Sequence, residues 1–266
     1  LAHLLVGSEG TLAFSTAIEL ALAPVLPKHR TLGACHFGSF HAAMESAQHI
    51  VTLAPVGVEL VDRTMIELAR EIAMFRPTLD AFLRGEPEAL VEFAEQDAAT
   101  NQRRLKELAA LMGDLGFGWD RDRARFGGVV EITDPALQGA INQLRTAGLN
   151  IMMSMKEEGK PISFVEDCAV PLEHLAEYTA RLTAVFERHG TRGTWYAHAG
   201  SGCLHVRPVL NLKLDKDVRA MRAIAEEAFA MVRDYKGSHS GEHGDGIVRS
   251  EFHEFMFGER LVRAFE

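Results

Sequence analysis

Short apolar or β-branched runs alternate with longer amphipathic segments along almost the whole chain, and this alternation most constrains the fold. Strand-sized runs are read at residues 31–37, 56–61, 89–93, 129–132, 162–170, 194–197 and 204–209, with Asp167 inside the fifth. Between them lie helical segments with start and stop signals. Ser39 is placed to cap a helix to about residue 51, and Asp62 one running to about residue 74. A long helix presents Leu105, Leu108 and Leu111 on one face, and Asp134-Pro135 opens another to about residue 149. Pro171 opens a helix stopped at His189-Gly190, and Asp215 caps one with Val218, Met221, Ala225, Ala228 and Val232 in a stripe. Residues 247–257 read as helical, and Met152, Met153 and Met155 as mobile or gap-filling core. Repeated strand–helix–strand order, without a fixed-period repeat, predicts an α+β fold: an antiparallel sheet with helices packed on one face.

The first residues follow a different pattern. Residues 4–22 read as strand, tight turn at Gly7-Ser8-Glu9-Gly10, and a second strand with alternating Leu12, Phe14, Thr16, Ile18, Leu20 and Leu22. Pro24 and Pro27 close this stretch, dividing the chain into residues 1–27 and 28–266.

Chemistry concentrates in two glycine-framed segments, His198-Ala-Gly-Ser-Gly-Cys-Leu-His205 and Gly241-Glu-His-Gly-Asp-Gly246. If Ser201-Gly202 forms the centre of a hairpin turn, His198 faces His205 on one side of the ribbon, with Cβ atoms roughly 5 Å apart. Two imidazoles and the Glu242 carboxylate make a ligand set for a divalent metal with an open position, and His243 stands beside them as a base. The same residues admit two other readings. One is a metal-dependent hydrolase that activates a bound water. The other is a noncatalytic module whose histidines are structural and whose glycines only make turns. Cys203, inside the hairpin, reads as a small buried residue close to the site.

A net charge of −9 argues against nucleic-acid binding and against docking on an anionic membrane. Three scattered cysteines, with no C-x-x-C, exclude an iron–sulfur or zinc-ribbon motif within the chain and fit a reducing compartment. No apolar run approaches the roughly 18 residues of a membrane span, and no basic leader opens the chain. A cytoplasmic location is expected, with peripheral attachment to the inner membrane left open. Leu1 enters an apolar run at once and residue 266 falls in a helical pattern, so a piece of a longer protein is expected.

Leu5-Val-Gly-Ser-Glu-Gly-Thr-Leu12 resembles the end of the flavin-binding domain of the FAD-linked oxidases that handle D-2-hydroxy acids. Pro55-Val-Gly-Val-Glu-Leu-Val-Asp62, Ser163-Phe-Val-Glu-Asp-Cys-Ala-Val-Pro171 and the two histidine segments resemble the substrate domain that follows it. Cys203-Leu-His-Val-Arg-Pro-Val-Leu-Asn-Leu-Lys213 is similar to the branch fused to a C-terminal iron–sulfur region. The resemblance implies that residues 1–27 are the edge of the FAD domain and residues 28–266 a ferredoxin-like substrate domain. It implies oxidation of a D-2-hydroxy acid, such as D-lactate or D-2-hydroxyglutarate, to the 2-oxo acid.

The same resemblance implies that His198, His205 and Glu242 bind zinc or a similar ion, that His243 is the base, and that Arg145 clamps the substrate carboxylate. Ser8, Glu9, Gly10 and Thr11 would border FAD in the full-length protein. Electrons would pass from FAD to an iron–sulfur cluster in the C-terminal region or to a quinone, not to NAD. With no phosphate-cradling glycine loop of its own, the chain is expected to hold no FAD and to be inactive alone. It departs from many relatives at Ser201-Gly202-Cys203, where they carry Asp-Gly-Asn, at Arg207, where they carry Asn, and at Val165, where some are basic. Arg207 shares a strand face with His205 and is read as a second cation for a dicarboxylate substrate or as the replacement of a lost polar contact.

Overall fold

The computed structural model describes residues 1–8, 10–25, 27, 29–84, 88–120 and 125–265. Eight strands form one sheet: β1 His29–Phe37, β2 Gly57–Val61, β3 Glu88–Glu95, β4 Gly127–Ile132, β5 Lys160–Pro161, β6 Cys168–Ala169, β7 Gly193–His198 and β8 Cys203–Leu210. Their order is β4-β1-β3-β2-β7-β8-β5, with β6 also pairing to β8. Every pairing is antiparallel, as expected for an α+β fold.

One face of the sheet is fully covered. Cys35, Phe37, Val58, Leu60, Trp195, Ala197, Leu204 and Val206 pack there against helices Phe40–Ile50, Ala98–Asp114, Leu175–Arg188 and Asp215–Asp234. The opposite face carries a second, shorter layer in place of the bare surface expected. Leu32, Ala34, Val61 and Ile132 meet helices Arg63–Glu71, Arg76–Phe82, Pro135–Thr146 and Gly148–Met153. The cause is visible in β1, whose residues 31–37 are all buried. A strand apolar on both sides needs cover on both sides. This second layer reaches β7 at Tyr196, and the part of the face beyond it holds the polar residues described below.

Three of the capping signals perform as expected. The Ser39 side chain accepts from the Ala42 amide, Asp62 Oδ1 from Met65 at 2.8 Å, and Asp134 from Ala136 and Leu137. Asp62 is buried and also accepts from the Trp195 amide at 2.9 Å, so one side chain starts a helix and ties it to β7. Met152 and Met155 are buried core, whereas Met153 is exposed.

Several boundaries differ from expectation. Residues 4–22 do not form two strands. A short helix, Ala2–Gly7, occupies the start, and residues 11–25 contain no helix or strand. Strands exist only as pairs, and none of the described residues of this chain pairs with that stretch. Its alternate side chains Leu12, Phe14, Ile18, Leu20 and Leu22 are all exposed.

Residues 162–170 keep only the two-residue β6, because Asp167 has φ +77°, a left-handed conformation that a strand cannot continue through. The helix after Asp134 breaks at Ala147 into two pieces, and residues 246–257 form a chain of single turns rather than one helix. Asp215 is the first helical residue, with Leu214 at the cap position. No helix among the described residues is long and apolar enough to cross a membrane.

Candidate active site

On β2, β7 and β8 the odd–even alternation sends one set of side chains into the covered core and the other toward the open half-face. Glu59, Tyr196, His198, Cys203, His205 and Arg207 belong to the second set. Across the hairpin, His198 pairs with Cys203 and Tyr196 with His205. The turn is therefore longer than the two-residue turn expected. A 3₁₀ turn, Ala199–Ser201, leads into Gly202 at φ +72°. The register shift is two residues, an even number, so the two histidines stay on one face as diagonal neighbours, with ring centroids 5.0 Å apart. Gly202 is required here, because a Cβ on it would lie 2.1 Å from the Val170 carbonyl oxygen.

Glu242 and His243 arrive from the loop after Ser240, and Asp167 fixes their positions. Its carboxylate accepts from the amides of Glu242 (Oδ1, 2.9 Å) and His243 (Oδ2, 2.9 Å), and from Ser240 Oγ (2.8 Å). Cys203 Sγ also donates to it at 3.5 Å. Burial works to raise the Asp167 pKa, but these backbone and hydroxyl donors outweigh it and hold it below the usual carboxylate value. Arg249, buried behind the loop, donates to the carbonyls of Gly244 (3.0 Å) and Glu166 (2.5 Å). The same environment pushes the Cys203 thiol up to about 12, first through burial and then through Asp167, so it remains a protonated, buried residue as expected.

Three imidazole nitrogens converge on one oxygen. Glu242 Oε1 is 3.3 Å from His198 Nε2, 3.2 Å from His205 Nε2 and 3.6 Å from His243 Nε2. These separations match the spacing of neighbouring ligands around an ion whose bonds are about 2.0–2.2 Å long. The structure thus brings together the three expected metal ligands and the expected base. Asp167 lies in the same cluster, with ligand atoms of Asp167, His205, Glu242 and His243 all within 4.8 Å of one another. Its oxygens are already engaged by the loop's N–H groups, which makes it a support rather than a ligand.

The residues behind the histidines were not assigned from sequence. His198 Nδ1 lies 2.8 Å from Glu59 Oε2, which also accepts from Tyr196 Oη at 2.7 Å. Nδ1–H donation to Glu59 turns the Nε2 lone pair toward Glu242, the arrangement by which carboxylates orient metal-binding imidazoles. The hydrogen bond to Glu59 raises the His198 pKa, against burial and with help from the Glu59 and Glu242 charges. His205, more deeply buried, is pushed the other way by burial and by His198. For Glu59, burial raises the pKa, but donation from His198 and Tyr196 and the Arg145 charge bring it below the ordinary value. A charged residue between Val58 and Leu60, in an otherwise apolar strand, was the available signal.

Arg145, at the end of helix Pro135–Thr146, reaches this cavity. Its Nη2 is 3.3 Å from Glu59 Oε1, its Nη1 3.3 Å from Asn142 Oδ1, and its buried Nε has no hydrogen-bond partner. Arg207 is also present but already engaged by buried Glu166, with Nε–Oε2 at 2.6 Å and Nη2–Oε1 at 2.8 Å. Arg145, Thr146, Gly148, Leu149, Met152, Glu166, Tyr196, His198, His205, Arg207, Glu242 and His243 line one cavity of about 350 Å³. Ser8, Gly10 and Thr11 do not line it. They lie at the exposed N-terminal end, and Glu9 falls outside the described residues.

A cavity of this make-up invites comparison with known proteins. Residues 26–266 match the family described as FAD linked oxidases, C-terminal domain. The chain belongs to this family. It is 33% identical to D-2-hydroxyglutarate dehydrogenase of Escherichia coli (strain K12), covering 98% of this chain and 26% of that protein. It is 34% identical to D-2-hydroxyglutarate dehydrogenase of Pantoea ananatis, over the same shares. It is 25% identical to D-lactate dehydrogenase of Archaeoglobus fulgidus, covering 98% of this chain and 53% of the relative. The chain thus spans about a quarter of the length of the first two relatives. Among solved structures, 4-ethylphenol oxidase from Gulosibacter chungangensis superposes with TM-score 0.55 at 11% identity, over 91% of this chain and 51% of that one, a likeness of fold.

Proposed function

We propose that this chain is the substrate-binding part of an FAD-dependent dehydrogenase that oxidises a D-2-hydroxy acid, D-2-hydroxyglutarate or D-lactate, to the 2-oxo acid. The observation that carries this reading is a single cavity holding Arg145 beside His198, His205 and His243 gathered on Glu242. D-2-hydroxyglutarate dehydrogenases among the similar proteins support the substrate class.

Oxidation of a 2-hydroxy acid releases the hydroxyl proton and the Cα hydrogen with its electron pair. In this reading Arg145 binds the substrate carboxylate through donors left over from Glu59 and Asn142. The proton passes to His243, whose Nδ1 is 3.9 Å from Glu166 Oε1 and whose Nε2 is 3.6 Å from Glu242 Oε1, so the imidazolium forms between two carboxylates. His198, His205 and Glu242 are the residues that would hold a divalent ion, with zinc the first candidate. Such an ion supplies Lewis acidity at the substrate's oxygens. Charge supports its presence. Arg145, Arg207 and Arg249 stand against Glu59, Glu166, Glu242 and Asp167, one carboxylate in excess before the histidines are counted, and a bound cation would offset that charge where a carboxylate substrate enters.

Arg207 is spent on Glu166, so its part is to neutralise and position that carboxylate. As a second cation for a dicarboxylate it would act only by releasing Glu166. Residues 1–27 belong, in this reading, to the edge of an FAD-binding domain, which accounts for the exposed alternating side chains from Leu12 to Leu22. Ser8, Glu9, Gly10 and Thr11 would border the flavin, which accepts the hydride. Onward electron transfer to an iron–sulfur region fits the much greater length of the D-2-hydroxyglutarate dehydrogenases.

The test is steady-state kinetics on the protein with its FAD-binding region present. His243→Asn should lower kcat by roughly 10²–10⁴-fold with KM little changed. Arg145→Met should raise KM for the hydroxy acid by more than it lowers kcat. Wild-type turnover in His243→Asn would remove the base assignment, and turnover without any flavin would favour a hydrolase.

A further inference from the structure

A second histidine–carboxylate cluster lies behind the loop that carries Glu242 and His243. His239 is fully buried, packed edge-on against Phe229 and Phe257 with ring centroids 5.5 Å from each. Its Nε2 is 3.3 Å from Asp245 Oδ1. His253, at the start of helix His253–Phe257, places its Nε2 2.8 Å from the other Asp245 oxygen, Oδ2. One ligand atom from each of the three residues falls within 4.8 Å of the others.

The hydrogen bonding here is incomplete. Neither ring nitrogen of His239 makes a hydrogen bond of good geometry, although the Arg249 backbone lies beside the ring, and Asp245 Oδ1 is likewise buried without one. A buried polar atom left unpaired loses its hydration without compensation, so His239 Nε2 and Asp245 Oδ1, both unpaired at 3.3 Å from each other, stand out. A hydrogen bond between His239 and Asp245 would satisfy only one pair. A cation between the two imidazoles and the carboxylate would pair those same two atoms, His239 Nε2 and Asp245 Oδ1, and would take in His253 Nε2 as well. Two nitrogens, each about 3 Å from an oxygen of one carboxylate, are a borderline-soft divalent ligand set, open at a further position for water. Arg249 acts against a cation here, but its guanidinium is engaged by the Gly244 and Glu166 carbonyls.

We propose that His239, Asp245 and His253 form a second site for a divalent transition-metal ion, zinc in class, separate from the cluster around Glu242. Its place in the fold gives it a structural role. Asp245 follows His243 by two residues, so an ion held there anchors the far end of the loop that Asp167 anchors at the near end. The site does not depend on the function proposed above.

The test is metal content after chelator treatment, loading with Co²⁺ and removal of loose ion, for the wild type, Glu242→Gln, His253→Asn and His239→Gln. Cobalt is counted apart from any iron and followed by its visible ligand-field bands. Glu242→Gln should keep about one tightly held Co²⁺ per chain, and His253→Asn and His239→Gln should each hold about one fewer than the wild type. If the wild type holds one ion that His253→Asn loses and Glu242→Gln keeps, the second site stands and the metal reading at Glu242 falls. A Glu242→Gln protein with no bound Co²⁺, or a folded His253→Asn protein with wild-type content, overturns the second site.

Discussion

Asp167→Asn is the substitution that most directly tests how the candidate site is held. Asn tolerates the left-handed backbone at φ +77°, so the change leaves the chain path alone and acts on the side chain. The aspartate oxygens accept from Glu242 N, His243 N, Ser240 Oγ and Cys203 Sγ. In Asn one oxygen becomes an NH₂. Either orientation sets that donor against one of the two backbone N–H groups, and the surviving bond is no longer charge-assisted. Losing one charge-assisted bond costs about 1.5–3 kcal/mol, and weakening the other adds to it. A total near 3 kcal/mol corresponds to roughly a hundredfold in the opening equilibrium of the loop.

Amide hydrogen exchange reads this directly. The amides of Glu242 and His243 should exchange about a hundred times faster in Asp167→Asn, while the Trp195 amide, held by Asp62, should not change. If Asp167→Asn folds and the Glu242 and His243 amides keep wild-type protection, the claim that this carboxylate holds the loop is wrong.

Two further perturbations separate conformational strain, packing and ionisation. Gly202 (φ +72°) and Gly190 (φ +69°) share a left-handed backbone, but an added Cβ at Gly202 meets the Val170 carbonyl at 2.1 Å whereas at Gly190 it meets nothing. Gly190→Ala should cost about 1–2 kcal/mol in urea denaturation and Gly202→Ala clearly more, and equal losses would refute the packing argument. Burial pushes the Asp62 carboxyl up to about 6, above its ordinary 3.8, against the hydrogen bonds from Met65 and Trp195. The native state then keeps a proton that the unfolded chain releases, so this group's stabilising contribution falls as pH rises from about 4 to 6 and is level above that. Denaturation midpoints across that range should show a downward component that Asp62→Asn removes, and an unchanged slope in the variant would place the effect elsewhere.

Local physics was legible in the sequence wherever it acts over a few residues. Capping by Ser39, Asp62 and Asp134, the apolar stripes of the long helices, and the β-branched runs of the central strands all appear close to where periodicity and side-chain chemistry put them. The two histidine segments were legible because glycine spacing and strand parity keep His198 and His205 on one face even though the hairpin register differs by two. Only the tertiary structure decided what surrounds them. Glu59, Glu166 and Asp167 come from segments far away in sequence, and their roles depend on which strand or loop folds against which.

Asp167 shows the limit most clearly. As a letter in an apolar run it reads as one more strand position. Its function follows from a left-handed backbone and from amides about 75 residues away, at Glu242 and His243. The second helical layer was hidden for the same reason. An apolar strand does not say whether one or both of its faces will be covered, because burial belongs to the assembled sheet and not to the segment.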